Sequence, residues 1–330
     1  MTDFAESARA VAPGLIAAFV IAIAATFLSE HYTAPVMLFA LLLGIAMNHL
    51  GDDGRCKAGI DFAARSVLRL GVALLGCRIT LAQLGELGWE PALMVVASVA
   101  ITIAVAVPVA KILGFNPLFG LLSGGATAIC GASAALALSA ALPPHPQKER
   151  ATLFTVIGVS TLSTVAMIAY PAIAAFFGLD ARQSGLFIGA TIHDVAQVVG
   201  AGYAISPEAG DTATVVKLIR VAMLLPVTLL ATAIARRGTD GEKGARPPIL
   251  PAFLIGFIIL VLVNGWIPAP VRASGNDLSR WCLVIAISAI GTKTRLGELA
   301  AVGLKPVLLM IGETLFLAAL VLGAITTGLV

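Results

Sequence analysis

The chain has 330 residues, 59% of them hydrophobic and only 12% charged, with a mean hydropathy of +0.99. Soluble globular proteins carry about 25% charged residues, so a soluble enzyme is excluded. The net charge of +3 and the lack of a basic block also leave no surface for nucleic acid.

At roughly 20 apolar residues per crossing, the length accommodates about ten or eleven spans with short loops. The expected partner is a lipid bilayer. In chain order the apolar segments are 12–28, 34–50, 60–77, 91–113, 117–141, 151–177, 184–205, 212–235, 249–267, 279–292 and 305–328. Asp3, Glu6 and Arg9 precede the first run, Val11–Leu28. That lead lacks a basic n-region and the run is long for a signal peptide, so it reads as a retained span.

Breaks fall at Asp52-Asp53-Gly54, Asn116-Pro117, Pro143-Pro144-His145-Pro146, Pro207 and Pro247-Pro248. Arg236, Arg237, Lys243 and Arg246 give the loop Arg236–Arg246 a cytoplasmic reading, and Lys148-Glu149-Arg150 reads the same way. If every segment spans, three crossings separate these two loops. Either one segment near 184–205 is re-entrant or a hairpin, or Lys148 and Arg150 face the other side. Trp89, Trp266 and Trp281 are expected near span ends. Cys56, Cys77, Cys130 and Cys282 are scattered without a Cys-x-x-Cys pair, which disfavours zinc, redox and disulfide readings.

The chain repeats itself. Gly76-Cys77-Arg78-Ile79-Thr80-Leu81, Leu84, Gly88, Pro91 and Leu93 match Gly291-Thr292-Lys293-Thr294-Arg295-Leu296, Leu299, Gly303, Pro306 and Leu308 at a constant offset of 215 residues. Arg78 and Lys293, in equivalent positions, read as anchors of helix ends. A second echo places Gly125-Ala126-Thr127 beside Gly189-Ala190-Thr191, offset by 64.

Those echoes sit in two glycine-flanked polar runs, Gly124–Ser133 and Gly189–Gly200. Lipid tolerates irregular backbone and ionisable groups only where protein or a water-filled cavity surrounds them. Paired interruptions of this kind mark the binding site of a secondary transporter. In the first run, Gly125 and Gly131 free the backbone, and Thr127, Cys130 and Ser133 line the break. The following half-helix would then point free N–H groups at an anion. In the second, Thr191, His193, Asp194 and Gln197 cluster. His193 and Gln197 share a helical face, and histidine titrates near physiological pH. His193 and Asp194 are therefore the expected ion-coupling groups, and the bland alternative is a pair that caps helix ends. Lys217 and Arg220 follow in the next apolar segment, where either could neutralise Asp194 or meet an anionic substrate. Glu313, inside the last segment, needs a partner, with Lys305 or another basic residue expected.

The stretch Leu70–Gly178 resembles the first half of bile-acid/sodium symporter-like proteins, through Leu75–Leu81, Pro91 and Gly124-Gly125-Ala126-Thr127. The whole chain more closely resembles the YeiH-like family of bacterial membrane proteins, labelled sulfate exporters. The residues that carry this are Gly-Ala-Thr-Ala-Ile-Cys-Gly-Ala-Ser-Ala (125–134) and Gly-Ala-Thr-Ile-His-Asp-Val-Ala-Gln-Val-Val-Gly-Ala (189–201). The resemblance implies an all-α, inverted-repeat transporter with two broken helices and elevator-like alternating access. Within a single membrane domain, 1–58 and about 236–270 would form the panel, and 60–235 and 275–330 the core. The spacing of 64 between the motifs departs from a simple five-plus-five helix order.

Three functions compete. The first is a transporter of a small anion such as sulfate or sulfite. Gly125, Thr127, Cys130, Gly131, Ser133, Thr191, Gln197 and Lys217 or Arg220 would bind substrate, and His193 and Asp194 would carry H+ or Na+. The second is a cation:proton exchanger using Asp194. The third, an intramembrane enzyme, lacks a convincing catalytic pattern. No cofactor or metal beyond the coupling ion is expected, and a homodimer is inferred by analogy.

Overall fold

In this computed structural model, residues 2–32, 36–51, 53–79, 85, 88–142, 148–236, 252–294 and 304–330 are described. Thr80, Leu81 and Leu84 of the first repeat lie outside that set. So do Arg295, Leu296, Leu299 and Gly303 of the second, Asp52, Pro143–Gln147, and the basic loop beyond Arg236.

The described residues form helices and no strand. They are α1 Thr2–Tyr32, α2 Val36–Ala46, α3 Lys57–Phe62, α4 Leu68–Leu74, α5 Glu90–Ile112, α6 Pro117–Ala128, α7 Ala132–Ala141 and α8 Lys148–Phe176. The rest are α9 Ala181–Thr191, α10 Val195–Ile205, α11 Pro207–Ala222, α12 Leu224–Arg236, α13 Ala252–Val263, α14 Ala269–Lys293 and α15 Leu304–Thr326. Among the described residues five stretches are long and apolar enough to cross a membrane: Arg9–Tyr32, Glu90–Ile112, Arg150–Phe176, Pro207–Ala233 and Leu304–Thr326. There are also shorter apolar helices, α2, α7 and α10 among them. Polar caps start the helices where the sequence turns. Asn116 Oδ1 accepts from Leu118 N ahead of Pro117, and Asp180 and Gln183 cap α9 reciprocally.

The chain divides into two compact units. The first comprises Met1–Leu87, Val199–Pro207 and Pro251–Arg295. There Lys293 pairs with Asp61, and Arg78 lies over the Tyr203 ring at 5.3 Å. Asn264 Nδ2 donates to Cys77 O at 2.7 Å, closing the end of the α4 segment. Trp281 stands mid-way along α14, against Phe19, rather than at a helix end. The physical reason is that α14 starts twelve residues earlier, on the polar stretch that holds Arg272, Asp277 and Arg280.

The second unit comprises Gly88–Val198, Glu208–Leu250 and Leu296–Val330. Its helices α6 and α7 are not two halves of one straight rod. Leu122 and Ala126 of α6 pack with Ala135, Leu138 and Leu142 of α7 in a single apolar cluster, so the chain turns back at Ile129–Gly131. Gly131 makes the turn with φ 64°, a backbone region that other residues enter at a cost. This hairpin precedes Lys148 and therefore leaves the crossings between the two basic loops unchanged.

Candidate functional site

The two interruptions meet. At Gly131, a Cβ would lie 3.5 Å from the His193 Cβ. His193 Nδ1 is 3.0 Å from Thr127 O, which can only accept, so Nδ1 carries the proton. Nε2 lies 3.0 Å from Thr314 Oγ1 on α15. His193 is fully buried.

The last carbonyls of α6 and α9 have no helical partner, and two cations from α11 take them. Arg220 Nε donates to Ala128 O at 2.8 Å and Nη2 to Thr127 O at 2.8 Å. Its Nη1 donates to Ile192 O at 2.9 Å and Gly189 O at 3.2 Å. Lys217 Nζ donates to Ile129 O at 2.6 Å and Ile192 O at 2.9 Å. Each α6 or α9 end carries roughly half a negative charge, so cations are favoured there. Both side chains are fully buried. The close approach of α9 to α11 makes this reach feasible. A Cβ on Gly189 would fall 2.5 Å from Ala213 O and 2.8 Å from the Val216 Cβ.

Asp194 is half-buried and caps α10, its Oδ1 accepting from Ala196 N at 2.9 Å. Its backbone N donates to Ser163 Oγ on α8 at 3.0 Å. Gln197 Nε2 donates to Thr164 Oγ1 at 2.9 Å, and among the described residues no donor reaches its buried Oε1.

The structure therefore gathers Thr127, Gly131, His193, Lys217 and Arg220 at one place, with Asp194 at the cap of α10 and Gln197 within that helix beside it. Cys130 is buried in the break. Gly125 faces the Leu138 side chain in the α6–α7 hairpin. Thr191 donates its hydroxyl back to Phe187 O within α9. Ser133 is exposed in the first turn of α7. Glu313 does not pair with Lys305, which is not buried. Its Oε1 accepts from Ser123 Oγ at 2.7 Å and its Oε2 from Thr127 Oγ1 at 3.2 Å. Sequence reasoning missed Ser123, Ser163, Thr164 and Thr314. The hydroxyl-rich stretch Ser160–Thr164 inside an apolar helix was the available signal for two of them.

Apolar helices of spanning length, an interrupted pair at mid-chain and buried charges matched to helix ends define an all-α, multi-pass membrane protein. The family model described as "Conserved hypothetical protein 698" matches residues 13–310. The chain is 53% identical over 317 residues to the UPF0324 membrane protein CT0845 of Chlorobaculum tepidum, covering 95% of this chain and 88% of that protein. It is 52% identical over 318 residues to the UPF0324 membrane protein TauZ of Paracoccus denitrificans, covering 95% and 94%. It is 49% identical over 314 residues to the UPF0324 membrane protein RB0971 of Rhizobium meliloti, covering 94% and 91%. The chain belongs to this UPF0324 family, the one that its two long motifs indicated. No solved structure matches it.

Proposed function

We propose that the protein is a secondary active transporter of a small sulfate- or sulfite-like anion, coupled to H+ or Na+, in the bacterial inner membrane. The observation that carries this reading is the charge balance where the two interruptions meet. Lys217 and Arg220 are hydrogen-bonded to the carbonyl ends of α6 and α9. The negative helix ends are thereby offset, while the positive N-terminal ends of α7 and α10 remain. At α10 that end already holds the Asp194 carboxylate. At α7 the cap is Gly131, with no side-chain acceptor. Two cations against one such carboxylate leave the break attractive to an anion, with the α7 N-terminus and Ser133 as its nearest donors. On this reading Lys217 and Arg220 set the field rather than touch the substrate. Alternating access of the elevator kind and a homodimer belong to the same proposal.

The test is uptake of radiolabelled sulfate and sulfite into proteoliposomes under imposed pH and sodium gradients, beside Asp194→Asn. Gradient-driven uptake that is lost in the variant supports the reading. No anion flux under any gradient sinks it.

One observation favours the cation:proton exchanger instead. Among the described residues no donor reaches the buried Gln197 Oε1, which lies three residues after Asp194, the cap of α10. A buried amide oxygen of that kind suits a bound sodium ion. Sodium-driven proton movement without any anion would select this second reading.

A further inference from the structure

Glu313 lies near the middle of α15 with 5% of its surface exposed. Two hydroxyl groups, Ser123 and Thr127, donate to its carboxyl oxygens. Among the described residues no basic side chain is hydrogen-bonded to it. Helix α15 packs against α5, α6, α8 and α9. Of these, α6 holds no charged residue. Glu90 and Lys111 lie at the two ends of α5, Lys148 and Arg150 in the first turn of α8 with Tyr170 farther along, and Arg182 at the start of α9. The break after α9 brings His193, which meets the neighbouring residue Thr314 and not Glu313. Lys217 and Arg220 direct their N–H groups at carbonyls. A carboxylate in the membrane interior persists only when it is paired or neutralised. Two hydroxyls do not neutralise it, whereas a proton does.

We propose that Glu313 is the proton-carrying group of the transport cycle. The proposal rests on the anion-transporter reading above and assigns its coupling ion and a residue that carries it. Thr127 connects the two places. Its hydroxyl donates to Glu313, and its carbonyl accepts from His193 Nδ1 and Arg220 Nη2. A proton adds to a lone pair of one carboxyl oxygen, forming an O–H bond and breaking none within the protein, and release reverses the step. With Glu313 ionised, the two positive charges of Lys217 and Arg220 are balanced by two carboxylates in the same unit, Asp194 and Glu313, and no charge is left for a substrate. With Glu313 protonated, one cation is unmatched and an anion restores the balance. Proton and anion therefore bind together and move in the same direction.

The deciding experiment is a pH-titrated infrared difference spectrum of the purified full-length protein, followed at the carbonyl stretch of a protonated carboxylic acid. It needs no substrate. The expected result is a band that grows as pH falls in the wild type and in Asp194→Asn. It is missing from Glu313→Gln, and shifted in frequency in Glu313→Asp, which covers the case of a poorly folding Gln variant. A wild type without a pH-dependent band, or a band unchanged in both Glu313 variants, overturns the proposal. Sulfate uptake in proteoliposomes forms the second arm. A Glu313 band without uptake of sulfate or sulfite defeats the anion reading alone, whereas pH-gradient-driven uptake that is undiminished in Glu313→Gln defeats the Glu313 proposal alone.

Discussion

His193 and Thr127 join the two interrupted segments across 66 positions of sequence, Nδ1 donating to the Thr127 carbonyl at 3.0 Å. Because that oxygen cannot donate, the neutral ring is fixed as the Nδ1–H tautomer. Nε2 is then an acceptor facing Thr314, whose hydroxyl also lies 2.8 Å from Met310 O. The Thr314 proton thus has two acceptors and can turn between them. Nitrogen-15 spectra of histidine-labelled protein at neutral pH should resolve a buried ring protonated at Nδ1 and bare at Nε2. That signal should vanish in His193→Gln. A ring protonated at Nε2 alone would contradict the arrangement.

Arg220 bridges both breaks, and its removal should be the most damaging single change in the second unit. Arg220→Met strips hydrogen bonds from Thr127 O, Ala128 O, Gly189 O and Ile192 O. Leaving a buried polar group unsatisfied costs about 1–3 kcal/mol, and among the described residues no second side chain donates to Ala128 O or Gly189 O. The expected loss is at least about 3 kcal/mol. Lys217→Met releases Ile129 O while Ile192 O keeps Arg220, so it should cost less. Thermal unfolding in detergent would rank the two. A smaller loss for Arg220→Met than for Lys217→Met would refute the assignment.

The course of the apolar segments was legible because span length and proline punctuation report directly on helices in lipid. Segments 91–113, 151–177 and 305–328 correspond closely to α5, α8 and α15. The backward turn at Ile129–Gly131 was not legible. A straight interrupted helix and a hairpin need the same glycine at the break, and the packing of Leu122 and Gly125 against α7 distinguishes them. The partners of Lys217, Arg220 and Glu313 were missed for a related reason. Sequence presents side-chain charges, so each was matched with another charge. The actual acceptors and donors are carbonyl ends and hydroxyls, which carry no sequence signature until the helices are placed.

Three glycines should respond differently to alanine. Gly189→Ala pushes a methyl into Ala213 O and Val216 on α11, and overpacking of this kind costs about 1–3 kcal/mol. Gly131→Ala keeps the space but forces a positive φ, at roughly 1–2 kcal/mol. Gly312, exposed on α15, has nothing among the described residues within 4 Å of its would-be Cβ. Alanine there should be neutral or stabilise the helix by up to about 1 kcal/mol. Unfolding temperatures of the three variants check the order. A destabilised Gly312→Ala alongside a silent Gly189→Ala would mean that α9 and α11 do not approach as described.

Asp194→Asn separates capping from charge. The asparagine Oδ1 can still accept from Ala196 N, and asparagine caps helices about as well as aspartate. Stability should therefore fall by less than about 1 kcal/mol, mostly from the lost attraction of a carboxylate to the α10 N-terminus. Asp194→Ala, which removes the acceptor too, should cost about 1 kcal/mol more. Transport should behave otherwise, with both variants losing gradient-driven flux to a similar degree because both lack the charge. Measuring unfolding and flux on the same two preparations decides the matter. If Asp194→Asn transports like the wild type while Asp194→Ala does not, the residue is a helix cap and its charge takes no part in the balance at the break.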